Sequence, residues 1–200
     1  MPVSRPASIF LPILILAFAW ACNSDYTIRR RGYYKIQFPK HEYQQYNVPG
    51  VPYSFEYPTY SRIVQDTSFF DDKPENPYWI NIEFPSFNGK IYLSYKQIYD
   101  QQTYDKLVDD AFKLTYKHTA KATDIKDSLM VTPEGITGIF FKVGGNAATG
   151  RQFFLTDSVR NFVRGALYFD ATPNSDSLGI VNDFLEEDMR HLINTFRWKP

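Results

Sequence analysis

Apart from Cys22, the 200-residue chain contains no cysteine. Without a second thiol it can close no disulfide of its own and build no thiolate metal site, although exported domains of this size commonly carry disulfides. Stability must therefore come from the core. Histidine is nearly as scarce: His41, His118 and His191 stand apart, none at a metal-ligand spacing. Neither sign of charge is in surplus, since 22 Lys and Arg face 22 Asp and Glu. That balance disfavours a nucleic-acid partner, which needs a cationic excess on one face. After the N-terminal run, no apolar stretch approaches the ~20 residues a bilayer span requires.

What the chain does have is an N-terminal apolar run that ends in its one cysteine. Arg5 supplies a short basic region, and Ile9 to Ala19 an apolar region within the ~7–15 residues of a secretory signal. In Ala19-Trp20-Ala21-Cys22 small residues precede the cut, and a thiol follows as the nucleophile that accepts a diacylglyceryl chain. This is lipobox logic, loosened by the bulk of Trp20 and by Ala19 at a position where Leu is commoner. The competing readings are an ordinary cleaved signal and a buried core cysteine. Cleavage before Cys22 makes 1–21 a lipoprotein signal peptide and leaves a mature chain, 22–200, held at a membrane by acyl chains. It also removes Arg5, leaving 21 basic against 22 acidic residues. Arg29-Arg30-Arg31 follows the anchor, where each charge can gain about 1 kcal/mol from anionic headgroups or simply stay solvated.

Organisation changes near residue 75. From 22 to 75 no helical or strand period is sustained, and Pro39, Pro49, Pro52, Pro58 and Pro74 punctuate the segment. Yet Tyr33, Tyr34, Phe38, Tyr43, Tyr46, Tyr53, Phe55 and Tyr57 give it too much aromatic surface for a free linker. It reads as an extended arm that packs on its own domain or on a partner, with 53–60 and 61–66 as edge strands that tolerate proline. Residues 76–200 read as a globular domain. Alternation predicts strands over 79–84 and 91–96 joined at Asn88-Gly89, over 136–143 and 151–156, and over 161–170. Helical spacing predicts one helix from Tyr104 to about Ala120, capped by Thr103, and another over roughly 176–196, capped by Asn174, Ser175 or Asp176. The fold class is α+β: an antiparallel sheet covered by two amphipathic helices. Element order alone is similar to the α/β/α sandwiches of photosystem-associated and nuclear-transport accessory proteins.

No catalytic constellation emerges. Gly145 to Gln152 has the glycine spacing of a phosphate-cradling loop, but Arg151 and Gln152 replace its Lys and Ser/Thr, and a strand follows instead of a helix. It reads as a hairpin turn. Asp109-Asp110 and Glu186-Glu187-Asp188 are placed on the polar faces of the two helices, where solvated carboxylates cannot separate their pKa values for acid-base work. Ser158 lacks a Gly-x-Ser-x-Gly elbow. No metal, cofactor or catalytic residue is assigned, and the chain is expected not to be an enzyme.

Several runs carry a family resemblance. Arg31-Gly32-Tyr33-Tyr34-Lys35-Ile36-Gln37-Phe38-Pro39, Tyr53-Ser54-Phe55-Glu56-Tyr57-Pro58, Asn88-Gly89-Lys90-Ile91-Tyr92-Leu93-Ser94-Tyr95-Lys96 and Arg164-Gly165-Ala166-Leu167-Tyr168-Phe169 resemble the GldD family of gliding-motility lipoproteins. The resemblance extends over nearly the whole mature chain. It departs at Arg29-Arg30, where a proline-containing pair is expected, and at Lys35, where arginine is. It implies a non-enzymatic envelope lipoprotein required for gliding and the associated type IX secretion, acting as a scaffold. Its partners would be other lipoproteins and channel components of that machinery, and its place the outer membrane facing the periplasm. Only the acylated cysteine carries over as a site, onto Cys22. Because interfaces favour Tyr and Arg, Arg31, Tyr33 and Tyr34 are the partner-binding candidates. The alternative is a periplasmic ligand-binding module or weak hydrolase whose site the sequence does not group; an apolar pocket with convergent polar groups would favour it.

Overall fold

The computed structural model describes residues 35–67 and 74–200. Ten strands form two antiparallel sheets. The larger comprises β3 (Arg62–Gln65), β4 (Ile80–Phe84), β5 (Gly89–Gln97), β6 (Ala122–Val131), β7 (Thr137–Gly145), β8 (Thr149–Thr156) and β9 (Asn161–Phe169), in the order β3-β4-β5-β9-β8-β7-β6. The smaller places β2 (Tyr53–Pro58) between β1 (Tyr43–Tyr46) and β10 (Arg197–Trp198). Among the described residues there are two α-helices, α1 (Gln101–Tyr116) and α2 (Ser175–Thr195).

The two-residue period of the strands sorts their side chains into two cores. Ile91 and Leu93 of β5, Phe153 and Leu155 of β8, and Val163 and Leu167 of β9 point to one face, where they meet Leu185, Met189 and Leu192 of α2 and Tyr53 and Phe55 of β2. The intervening Phe141, Phe154 and Phe162 point to the other face and meet Leu107 and Ala111 of α1. One helix therefore covers each face of the larger sheet, as the two apolar stripes in the sequence require. Gly165 fits this packing: it lies opposite Phe153 on the neighbouring strand, and a Cβ there would come within 2.3 Å of the Phe153 ring.

The helix ends depart from expectation in instructive ways. Asp100, not Thr103, caps α1: its carboxylate accepts from the Thr103 backbone N–H at 2.7 Å and from the Thr103 hydroxyl at 2.7 Å. The helix stops at Tyr116, and residues 117–120 tighten into a 3-10 turn. Asn174 caps α2 by accepting from Asp176 N–H.

The texture change near residue 75 does not mark an edge of the folded unit, which runs from Ile36 to Pro200. Tyr53 and Phe55 are fully buried, stacked with Phe196 at ring-centroid distances of 5.6 and 6.1 Å. Of the two segments read as edge strands, β3 is one, but β2 is flanked on both sides. Its proline, Pro58, sits at the strand's end, where a missing N–H costs the ladder little.

Candidate functional site

Of the residues singled out from sequence, Cys22, Arg31, Tyr33 and Tyr34 lie outside the described residues. The other candidates are placed, and most serve the fold. The glycine-rich segment is the β7–β8 hairpin turn, with Gly145 at φ 79°. Its Arg151 reaches the acidic face of α2: Nε donates to Glu186 at 2.6 Å and Nη2 to Asp183 at 2.7 Å. Lys142 of β7 and Arg190 of α2 also meet Glu186, at 2.7 and 2.8 Å. Burial alone would raise the Glu186 pKa, but hydrogen bonds from Lys142, Arg190 and Arg151 outweigh it and hold the group below the usual carboxylate range.

Glu186 and Asp188 thus overturn their placement on a solvated helix face; only Glu187 stands there. The cause is that α2 is flanked on two sides, by β7 and β8 and by the chain from Phe38 to Tyr60. Asp188 is 1% exposed. One of its oxygens accepts from His41 Nδ1 at 2.7 Å and from the Tyr43 hydroxyl at 3.0 Å, and the other accepts from the Tyr60 hydroxyl. Burial, reinforced by Asp188, pushes both tyrosine hydroxyls well above their ordinary range, so they remain protonated donors. Phe184 stacks on His41 and Phe38, each at 4.4 Å, one turn earlier on the same helix. His191 pairs with Glu56 at 2.7 Å and stacks on Tyr43 at 3.5 Å. These contacts fasten the 38–60 segment to α2. Among the described residues no group of three or more His, Cys, Asp or Glu is placed to hold a metal ion.

Two features remain on the outside. The first is β6, ten residues long, which ends the larger sheet and, among the described residues, pairs only with β7. Asp124, Lys126 and Asp127 charge its first half, but Leu129 and Val131 in the second are 77% and 65% exposed. The opposite edge, β3, has four residues and is blunted by the Arg62–Glu83 ion pair at 2.8 Å. The uncharged second half of the β6 edge is the part that invites pairing with another chain.

The second is a cleft of about 570 Å³ between the C-terminal half of α1 and the outer side of β5 and β9. Leu107, Ala111, Leu114 and Phe162 give it apolar walls; Lys96, Lys113, Lys117 and Arg164 bring positive charge, against Asp110. Arg164 donates to Gln152 Oε1, which also accepts from Thr115 Oγ1 at 3.2 Å. Sequence reading passed over this site. Its one signal was Arg164 itself, a cation between Phe162 and Ala166 on a strand whose two faces are both apolar.

In class, this is an α+β domain of two open antiparallel sheets and two helices, its described surface marked by a free strand edge and a cationic cleft. The family model of the gliding motility lipoprotein GldD matches residues 23–198, and the chain belongs to that family. As a member it is a lipid-anchored protein of the cell envelope associated with gliding motility. Among the described residues no helix is long and apolar enough to cross a membrane. The solution structure of cyanobacterial PsbP (CyanoP) from Synechocystis sp. PCC 6803 is similar at 13% identity and a TM-score of 0.44, over 86% of this chain and 99% of that one. No curated protein matches the chain.

Proposed function

We propose that the protein is a non-enzymatic scaffold of the gliding machinery and its associated type IX secretion apparatus. It is anchored through acylated Cys22 at the outer membrane, with its domain facing the periplasm. It docks other lipoproteins or channel components by strand addition along β6. The observation that carries this reading is the unpaired outer edge of β6 beside exposed Leu129 and Val131. Main-chain hydrogen bonds supply affinity in such pairing and alternate side chains supply specificity. Arg31, Tyr33 and Tyr34, nearer the anchor in sequence, are further candidates for partner binding.

The edge is tested by Leu129→Lys with Val131→Lys. Both side chains are mostly exposed, so stability should stay within about 1 kcal/mol, while charge on the edge opposes strand addition. The expected result is loss of gliding and of photo-cross-links from a probe at position 127, with the protein present at normal level. Normal gliding by the double variant would remove β6 as the docking edge.

The anchor is tested separately. Cys22→Ala removes the only thiol in the chain, and with it the acceptor for the diacylglyceryl chain. The variant should lose acylation and leave the detergent phase in phase partitioning. Wild-type partitioning of the variant would refute Cys22 as the anchor.

A further inference from the structure

We propose that the cleft between α1 and β9 binds a small apolar acid: one carboxylate or phosphate on a hydrocarbon or aromatic body. The cleft's volume, about 570 Å³, lies within the range of small-molecule sites, roughly 300–1,000 Å³. Its deepest charge is Arg164. Among the described residues no carboxylate lies in ion-pair range of that guanidinium, and its side chain donates only to Gln152. Arg164 is half-buried, and a cation partly withdrawn from water gains from a counter-ion. An anion from outside the chain would complete the pair.

The surroundings favour the same ligand. Lys117, at the mouth, also has no carboxylate partner among the described residues, whereas Lys96 and Lys113 meet Glu75 and Asp109. Asp110 is the one acidic residue of the lining. Burial, followed by the charge of Arg164, holds the His118 pKa below its ordinary value. Behind Arg164, Gln152 is fully buried, with its Oε1 doubly engaged and its Nε2 without a partner. Gln152 therefore fixes the guanidinium before any ligand arrives. Walls of Leu107, Ala111 and Phe162 suit an apolar body. The volume suits a small molecule in preference to a folded partner, so this site is independent of the β6 edge.

Calorimetric titration of the full mature chain with 4-phenylbutyrate tests the proposal, with 4-phenylbutanol as the uncharged control. The acid should bind saturably and the alcohol at least tenfold more weakly. Arg164→Gln should weaken the acid by roughly tenfold or more, as loss of a charge-assisted bond predicts, and Lys117→Gln, on the rim, by a smaller factor. If Arg164→Gln does not fold, Lys117→Gln alone decides. Vesicles of phosphatidylglycerol and of phosphatidylcholine separate the two sources of the anion. Arg164- or Lys117-dependent capture by the anionic vesicles, with no response to the free acid, assigns a lipid headgroup; response to the free acid assigns a soluble ligand. Equal affinity for acid and alcohol, unchanged affinity in the variants, or no binding of either acid or vesicles would overturn the site.

Discussion

Replacing Asp188 with alanine is expected to lower stability by about 3–5 kcal/mol, the cost of breaking a buried charged cluster by removing one member. For a domain of this length that is a fall in thermal midpoint of roughly 6–20 °C. The reason is asymmetry. The carboxylate is almost wholly enclosed and satisfies His41, Tyr43 and Tyr60 together. Its loss leaves three donors without an acceptor and opens a polar void beside Phe184. Tyr43→Phe removes one donor and leaves the carboxylate bonded to the other two, so it should cost about 1.5–3 kcal/mol. Limited proteolysis should also cut the Asp188→Ala variant first between residues 38 and 60, the segment that the cluster holds. A midpoint within 2 °C of wild type, measured by calorimetry, would show that Asp188 does not fasten that segment.

The second large effect lies about one turn to either side of Asp188, on the apolar side of the same helix. Leu185 and Leu192 are fully buried against the larger sheet and β2. Leu→Ala at either should cost about 2–5 kcal/mol, from lost burial plus the cavity left behind. Glu187 provides the contrast. Its side chain is 71% exposed and its ion pair with His41 spans 3.2 Å, so Glu187→Ala should stay within about 0.5–1 kcal/mol. Equal small shifts at all three positions in denaturant titrations would contradict the packing described.

The strands with a clear two-residue period were legible from sequence because one side of each is apolar and the turns between them are short. β6 was not. It is exposed along most of its length, so Ala-Thr-Asp-Ile-Lys-Asp-Ser-Leu-Met-Val shows no alternation for a period to reveal. β1 and β10 escaped for a different reason: they are short and are defined by pairing with β2. Long-range chemistry was the least visible. His41, Tyr43 and Tyr60 precede Asp188 by 128 to 147 positions, and no local pattern marks their convergence. Glu186 and Asp188 looked solvated because helical spacing places them off the apolar stripe, and spacing does not reveal what lies against the second side of a helix. Cys22, by contrast, is a purely local signal.

The pairing of β10 with β2 sets Arg197 opposite Ser54 and Trp198 opposite Tyr53, joining the two extremes of the folded unit. Such closure has a consequence in time. Contacts so distant along the chain form late, because the loop entropy must be lost before they contribute. A nascent or translocating polypeptide presents residues 43–60 well before Phe196 and β10, which follow Tyr60 by 136 positions and more. Until then Tyr53 and Phe55 cannot reach the burial seen here. An exported chain that emerges amino end first would therefore carry an unsheltered stretch of aromatic rings until residues 196–198 have followed and enclosed it.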